Sequence, residues 1–106
     1  MTQAENRRSE RVLMDVQVVV GGESADHLAF REETFTVTVS AHGALLMLAN
    51  KVAPGQPVTL MNHNRVQRAG RVAYAGAPHA GLAQVAIQFD KPSPEFWPVN
   101  IRPSNW

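Results

Sequence analysis

Residues Thr34–Leu48 read TFTVTVSAHGALLML, and this stretch decides the fold. Its first half alternates: Phe35, Val37 and Val39 point one way, Thr34, Thr36, Thr38 and Ser40 the other. Period-two alternation rich in β-branched residues predicts a half-buried strand. Ala41, His42 and Gly43 interrupt it, and Ala44 to Leu48 is an unbroken apolar run suited to a second strand through a core. Thr38 and Ser40, two apart, share the outward face. Gly43 permits a turn with positive φ or the close approach of a ligand. Two hydroxyls and a bare backbone thus fall at one lip of a sheet, where a ligand can be held.

Working outward, Val12 to Val20 predicts the first strand. Val12, Met14, Val16, Val18 and Val20 face inward; Leu13, Asp15, Gln17 and Val19 face out. Gly21-Gly22 is expected to end it. Glu23 to Glu33 is polar apart from Leu28, Ala29 and Phe30, and the opposite parities of Phe30 and Phe35 demand a bulge or loop if both are buried. Beyond the central stretch, Pro54, Gly55 and Pro57 mark a turn, Val58 to Met61 a short strand and Asn62-His63-Asn64 another turn. Val66 to Tyr74 predicts a strand with Val66, Val72 and Tyr74 inward, edged or bulged where Arg68 and Gly70 spoil that face. Gly76 to Gly81 is a loop. Leu82 to Phe89 places Ala83, Val85, Ile87 and Phe89 inward. Ser93-Pro94-Glu95-Phe96-Trp97 has a capping residue before a proline, the signature of one helical turn, stopped by Pro98. Short strands, frequent turns and one helical turn predict an all-β barrel or sandwich.

A chain of 106 residues predicts one domain, large enough to bury about 60–70% of its unfolded surface. A net charge of +1 gives no bulk electrostatic reason to bind a nucleic acid polymer or a membrane. Cysteine is absent, which excludes disulfides, thiolate metal sites and a cysteine nucleophile. No apolar run approaches the roughly 18 residues of a membrane span, and the polar start MTQAENRRSER leads into no signal-peptide core. A cytoplasmic domain without membrane insertion is the expectation. The boundaries expected are a flexible arginine-bearing arm over 1–11, the barrel over 12–98 and a tail over 99–106.

His27, His42, His63 and His79 all fall in loops or turns, are not spaced as a metal pair and read as solvated; no metal or cofactor is expected. His42 stands near Ser40, but no motif supplies an orienting acid or an oxyanion hole, so the chain does not read as an enzyme. Arg7, Arg8 and Arg11 concentrate three of the eight arginines just before the first strand. They form either a solvated arm or a set of guanidinium forks, the group best shaped for a guanine edge or a phosphate.

These residues resemble the PilZ domain, a six-stranded antiparallel barrel whose members bind the bacterial second messenger cyclic di-GMP. The family's R-x-x-x-R motif is similar to Arg7-Arg8-Ser9-Glu10-Arg11, and its D/N-x-S-x-x-G motif to Thr38-Val39-Ser40-Ala41-His42-Gly43, about 30 residues later. The later pattern KVAPGQPVTL, GRVAY and VAIQFDKP, with an aromatic-bearing tail, also resembles the family, from about Arg7 to about Trp97. The resemblance implies a cyclic di-GMP site at Arg7, Arg8, Arg11, Thr38, Ser40, His42 and Gly43. It departs at Thr38, where the family has an acidic or amide acceptor for guanine N–H groups. A charge-assisted hydrogen bond contributes roughly 1.5–3 kcal/mol against about 1 for a neutral one, so the exchange weakens binding by roughly one to two orders of magnitude. Two functions follow: a nucleotide-sensing module that changes its surface to regulate an unidentified effector protein, or a ligand-free adaptor working through protein contacts.

Overall fold

The computed structural model describes residues 11–99. Seven strands form one antiparallel sheet: β1 (Arg11–Leu13), β2 (Gln17–Glu23), β3 (Ala29–Ser40), β4 (Gly43–Leu48), β5 (Pro57–Met61), β6 (Gln67–Ala75) and β7 (Ala83–Phe89). Six of them close a barrel in the order β3-β2-β5-β6-β7-β4, the β3–β4 pairing completing the ring. β1 adds to the C-terminal half of β3, beyond the part that β2 covers. The expected all-β barrel is therefore present, and a 3₁₀ turn at Pro94–Phe96 is its only helical element among the described residues. That turn starts at Pro94 as expected, but the Ser93 hydroxyl donates to Lys91 O (3.1 Å) and caps nothing.

The predicted first strand is two strands, and the reason is Thr36. Its hydroxyl donates to Met14 O (2.7 Å) and accepts from Val16 N–H (2.8 Å), so a side chain takes over backbone groups between β1 and β2. The facing of that segment is as expected: Val16, Val18 and Val20 are buried, Val12 and Met14 pack against them, and Leu13 is exposed. Gly21-Gly22 do not end β2, which runs on to Glu23.

The expected facing of the first half of β3 is overturned. Thr36 is 3% exposed and Phe35 55%. Thr34 also lies on the inner side, opposite Val18, with its hydroxyl donating to Met47 O. The cause is a bulge: Thr36 pairs with Leu46 but Thr38 with Leu45, leaving Val37 as an extra residue. Parity inverts there, so even-numbered residues face inward before it and Val39 after it. Thr38 and Ser40, downstream, keep the outward face that alternation assigned them. Phe30 is half-buried and packs against the core while Phe35 is exposed, so their opposite parities hold along one continuous strand and call for no bulge or loop between them. A second irregularity, between Val72 and Tyr74 against β7, turns Tyr74 outward where an inward position was expected.

The barrel interior is filled by Val18, Val20, Val39, Leu46, Leu48, Leu60, Val72, Val85 and Ile87. One end is plugged by aromatic rings: Phe96 stands edge-on to Phe89 (centroids 5.4 Å) and Trp97 edge-on to Phe96 (4.8 Å). Each such ring contributes roughly 1.5–3 kcal/mol through burial. The plug is tied to the barrel by Asn62 Nδ2, which donates to Phe96 O (3.0 Å).

Candidate functional site

The β3–β4 turn sits at the plugged end and is fixed from three sides. Ser93 N–H donates to Ala41 O (2.7 Å), Phe89 N–H to His42 O (2.8 Å), and Trp97 Nε1 to Ser40 O (2.7 Å). A tight turn whose carbonyls are all engaged presents its outer edge in one conformation. Within it, Ser40 Oγ accepts the His42 backbone N–H (3.2 Å). Its own donation reaches Gly43 O only at 3.5 Å, long for an O–H···O bond, so the hydroxyl proton remains available to a ligand.

Strand register carries the two sequence motifs together. Arg11 opposes Ser40 in the β1–β3 pair, and Ser40 opposes Gly43 in the β3–β4 pair. Directly opposed residues of antiparallel strands have Cα atoms about 4.5–5.5 Å apart. Residues that stand far apart in the chain thus form one row, with an exposed arginine first, a half-buried hydroxyl second and the buried backbone of Gly43 third. Leu13, Thr38 and Leu45 form the next outward row along the same strands. A sequence profile of the PilZ domain matches residues 5–96. The chain belongs to the PilZ family. A search of curated proteins finds no match to it.

In this PilZ domain Arg11, Thr38, Ser40, His42 and Gly43 fall at one end of the barrel, while Arg7 and Arg8, like the rest of 1–10, lie outside the described residues. Arg11 is exposed and forms no ion pair among the described residues, so its charge is available. His42 is half-buried in the turn rather than solvated; His27, His63 and His79 are exposed as expected. Gly43 has a structural duty. A Cβ there would overlap the Ile87 carbonyl oxygen, and Gln88 Cα would stand 3.1 Å away. The backbone that approaches Gly43 most closely is that of β7. Among the described residues no group of three or more His, Cys, Asp or Glu is placed to hold a metal ion, and no helix is long and apolar enough to cross a membrane.

Two features escaped the sequence reading. Trp97 braces the Ser40 carbonyl, and its only signal was an aromatic in the C-terminal tail. The Leu13–Thr38–Leu45 row continues through Ala86 to Tyr74, an outward band crossing five strands whose polar groups are the hydroxyls of Thr38 and Tyr74. Leu13 and Tyr74 are 82% and 56% exposed. Outward parity of Leu13 was legible, but the band exists only through register and the two bulges.

Proposed function

We propose that this PilZ domain senses cyclic di-GMP. In this reading Arg7, Arg8 and Arg11 close over the ligand, their guanidinium groups forking onto phosphate oxygens and a guanine edge, against a ledge made by Thr38, Ser40, His42 and Gly43. The observation that carries it is the row Arg11–Ser40–Gly43, which brings the two motifs within reach of one ligand. Each charge-assisted contact contributes roughly 1.5–3 kcal/mol. The liganded arm then alters the surface offered to an effector protein. As in the family generally, the domain works as a binding module and not as an enzyme. The cytoplasm, where such a second messenger acts, is the location that goes with this function.

A second reading, a ligand-free adaptor, is favoured by Thr38. It stands between Leu13 and Leu45, so the position that would receive guanine N–H groups is neutral and apolar on both sides. Calorimetric titration with cyclic di-GMP separates the two. Sensing predicts saturable binding, weak for the family, that is abolished in the Arg7→Ala/Arg11→Ala double variant. Binding that survives both substitutions places the site elsewhere, and no heat at millimolar ligand leaves the adaptor.

A further inference from the structure

On the outer wall of the barrel, β2, β5 and β6 carry a row of small residues. Gly21 opposes Thr59, and Thr59 opposes Ala69; Arg31 of β3 opposes Gly21 at the other end. Larger side chains flank this row, with Val19 and Met61 on one side and Pro57 and Arg71 on the other, so a groove of about 380 Å³ lies between them. Small-molecule sites occupy clefts of roughly this size upward. Asp90 closes the β6 end, where its N–H donates to Ala69 O (2.9 Å).

Gly21 is the informative residue. Glycine inside a strand weakens it, and its presence marks a bulge, a bend or a close approach. None of these explains Gly21. It pairs regularly with Arg31 and Thr59, its φ is not positive, and an added Cβ would meet only the rotatable Thr59 hydroxyl (3.2 Å) and Phe30 O (3.9 Å). Gly43 and Gly70 differ, because a Cβ on either would run into β7 backbone. The barrel tolerates a side chain at 21; the groove does not. The cations form the second observation. Neither Arg31 nor Arg71 has an ion pair among the described residues, and Arg71 is aimed along the wall by donating to Gly55 O (2.9 Å). With Asp90 offsetting one guanidinium, the groove keeps one net positive charge, and the end without a lining carboxylate is the Arg31 end.

We propose that this groove is a second ligand site, for a small organic monoanion with a flat apolar body. The body lies on Gly21, Thr59 and Ala69 between Val19, Met61 and Pro57. The anionic group meets Arg31. The site shares no strand-turn residue with the cyclic di-GMP ledge and does not rest on that reading.

The test uses anilinonaphthalene sulfonate, a dye of this chemistry, with the full chain, read by fluorescence titration and amide-shift mapping. Saturable binding is expected, with shifts centred on Gly21, Thr59 and Ala69. Gly21→Leu and Thr59→Leu each fill the floor and cut affinity by about tenfold or more, with unchanged circular dichroism. Arg31→Ala cuts it by about tenfold and Arg71→Ala by less. Neutral phenylnaphthylamine binds about tenfold more weakly. Shifts centred on the Leu13–Tyr74 band, full affinity in both folded floor variants, equal binding of the neutral analogue, or full displacement by inorganic phosphate would each overturn the proposal.

Discussion

Two threonines on one strand, two positions apart, have opposite duties. Thr36 is buried and its hydroxyl serves two backbone groups of the β1–β2 link. Thr36→Val keeps the shape and removes both bonds, leaving Met14 O and Val16 N–H unsatisfied. A loss of about 1–3 kcal/mol is expected from urea unfolding, and a change within about 0.5 kcal/mol would mean that those groups find other partners. Thr38 is half-buried on the outer face between Leu13 and Leu45. Thr38→Asp supplies the family's acceptor and is expected to tighten cyclic di-GMP binding by about 1–2 kcal/mol, roughly five- to thirty-fold. It also sets a carboxylate beside two leucines and replaces a good strand former, so a stability loss within about 1 kcal/mol should accompany it. Paired titrations at one salt concentration decide, and equal affinities would show that Thr38 is not a weakened acceptor.

At the scale of elements, the β4–β7 pair is held as close as a missing Cβ allows. Gly43→Ala drives a methyl group into the Ile87 carbonyl and must separate the strands, for an expected loss of about 3 kcal/mol in thermal or urea unfolding. Gly55 gives the contrast. Its φ of 91° disfavours a side chain, but nothing lies within 4 Å, so Gly55→Ala should cost only the roughly 1–2 kcal/mol of left-handed backbone. If the two variants lose stability equally, close strand approach is not what glycine provides at position 43. The bulge at Val37 acts over the same length scale: it lets Thr36 serve the core side of β3 and still leaves Ser40 facing out beside Arg11.

Over the whole molecule, the C-terminal plug is tied to the barrel wall by Arg68, whose Nη2 donates to Glu95 Oε2 (3.0 Å). Glu95's own backbone N–H, then the Arg68 guanidinium, hold its carboxyl below the ordinary glutamate value, against a small opposing desolvation. A carboxyl depressed in the folded state stabilises it above the ordinary value, and that contribution fades as pH falls through the ordinary value toward the folded one. The pair is exposed, so it contributes no more than about 0.5 kcal/mol. Arg68→Ala should raise the Glu95 pKa, seen in a proton-resonance titration, yet leave it depressed because the backbone bond remains. It should lower stability at neutral pH and not under strong acid. A stability gap that persists unchanged in acid would locate the effect of Arg68 in packing instead.

Local pattern determined much of this protein. Alternation in Val16–Val20 and Ala83–Phe89 placed core and surface faces correctly, because side chains of a regular strand must change face at every residue. The order of the two motifs and the fold family were also legible in the chain. Tertiary structure decided the rest. Thr36 and Phe35 exchanged faces, and Tyr74 turned outward, because one unpaired residue inverts parity and only the partner strand determines where it falls. Arg11, Ser40 and Gly43 became neighbours through register, and the groove above Gly21 arose because β5 and β6 set Thr59 and Ala69 beside it. Register across strands is a property of pairs far apart in the chain, and no single strand contains it.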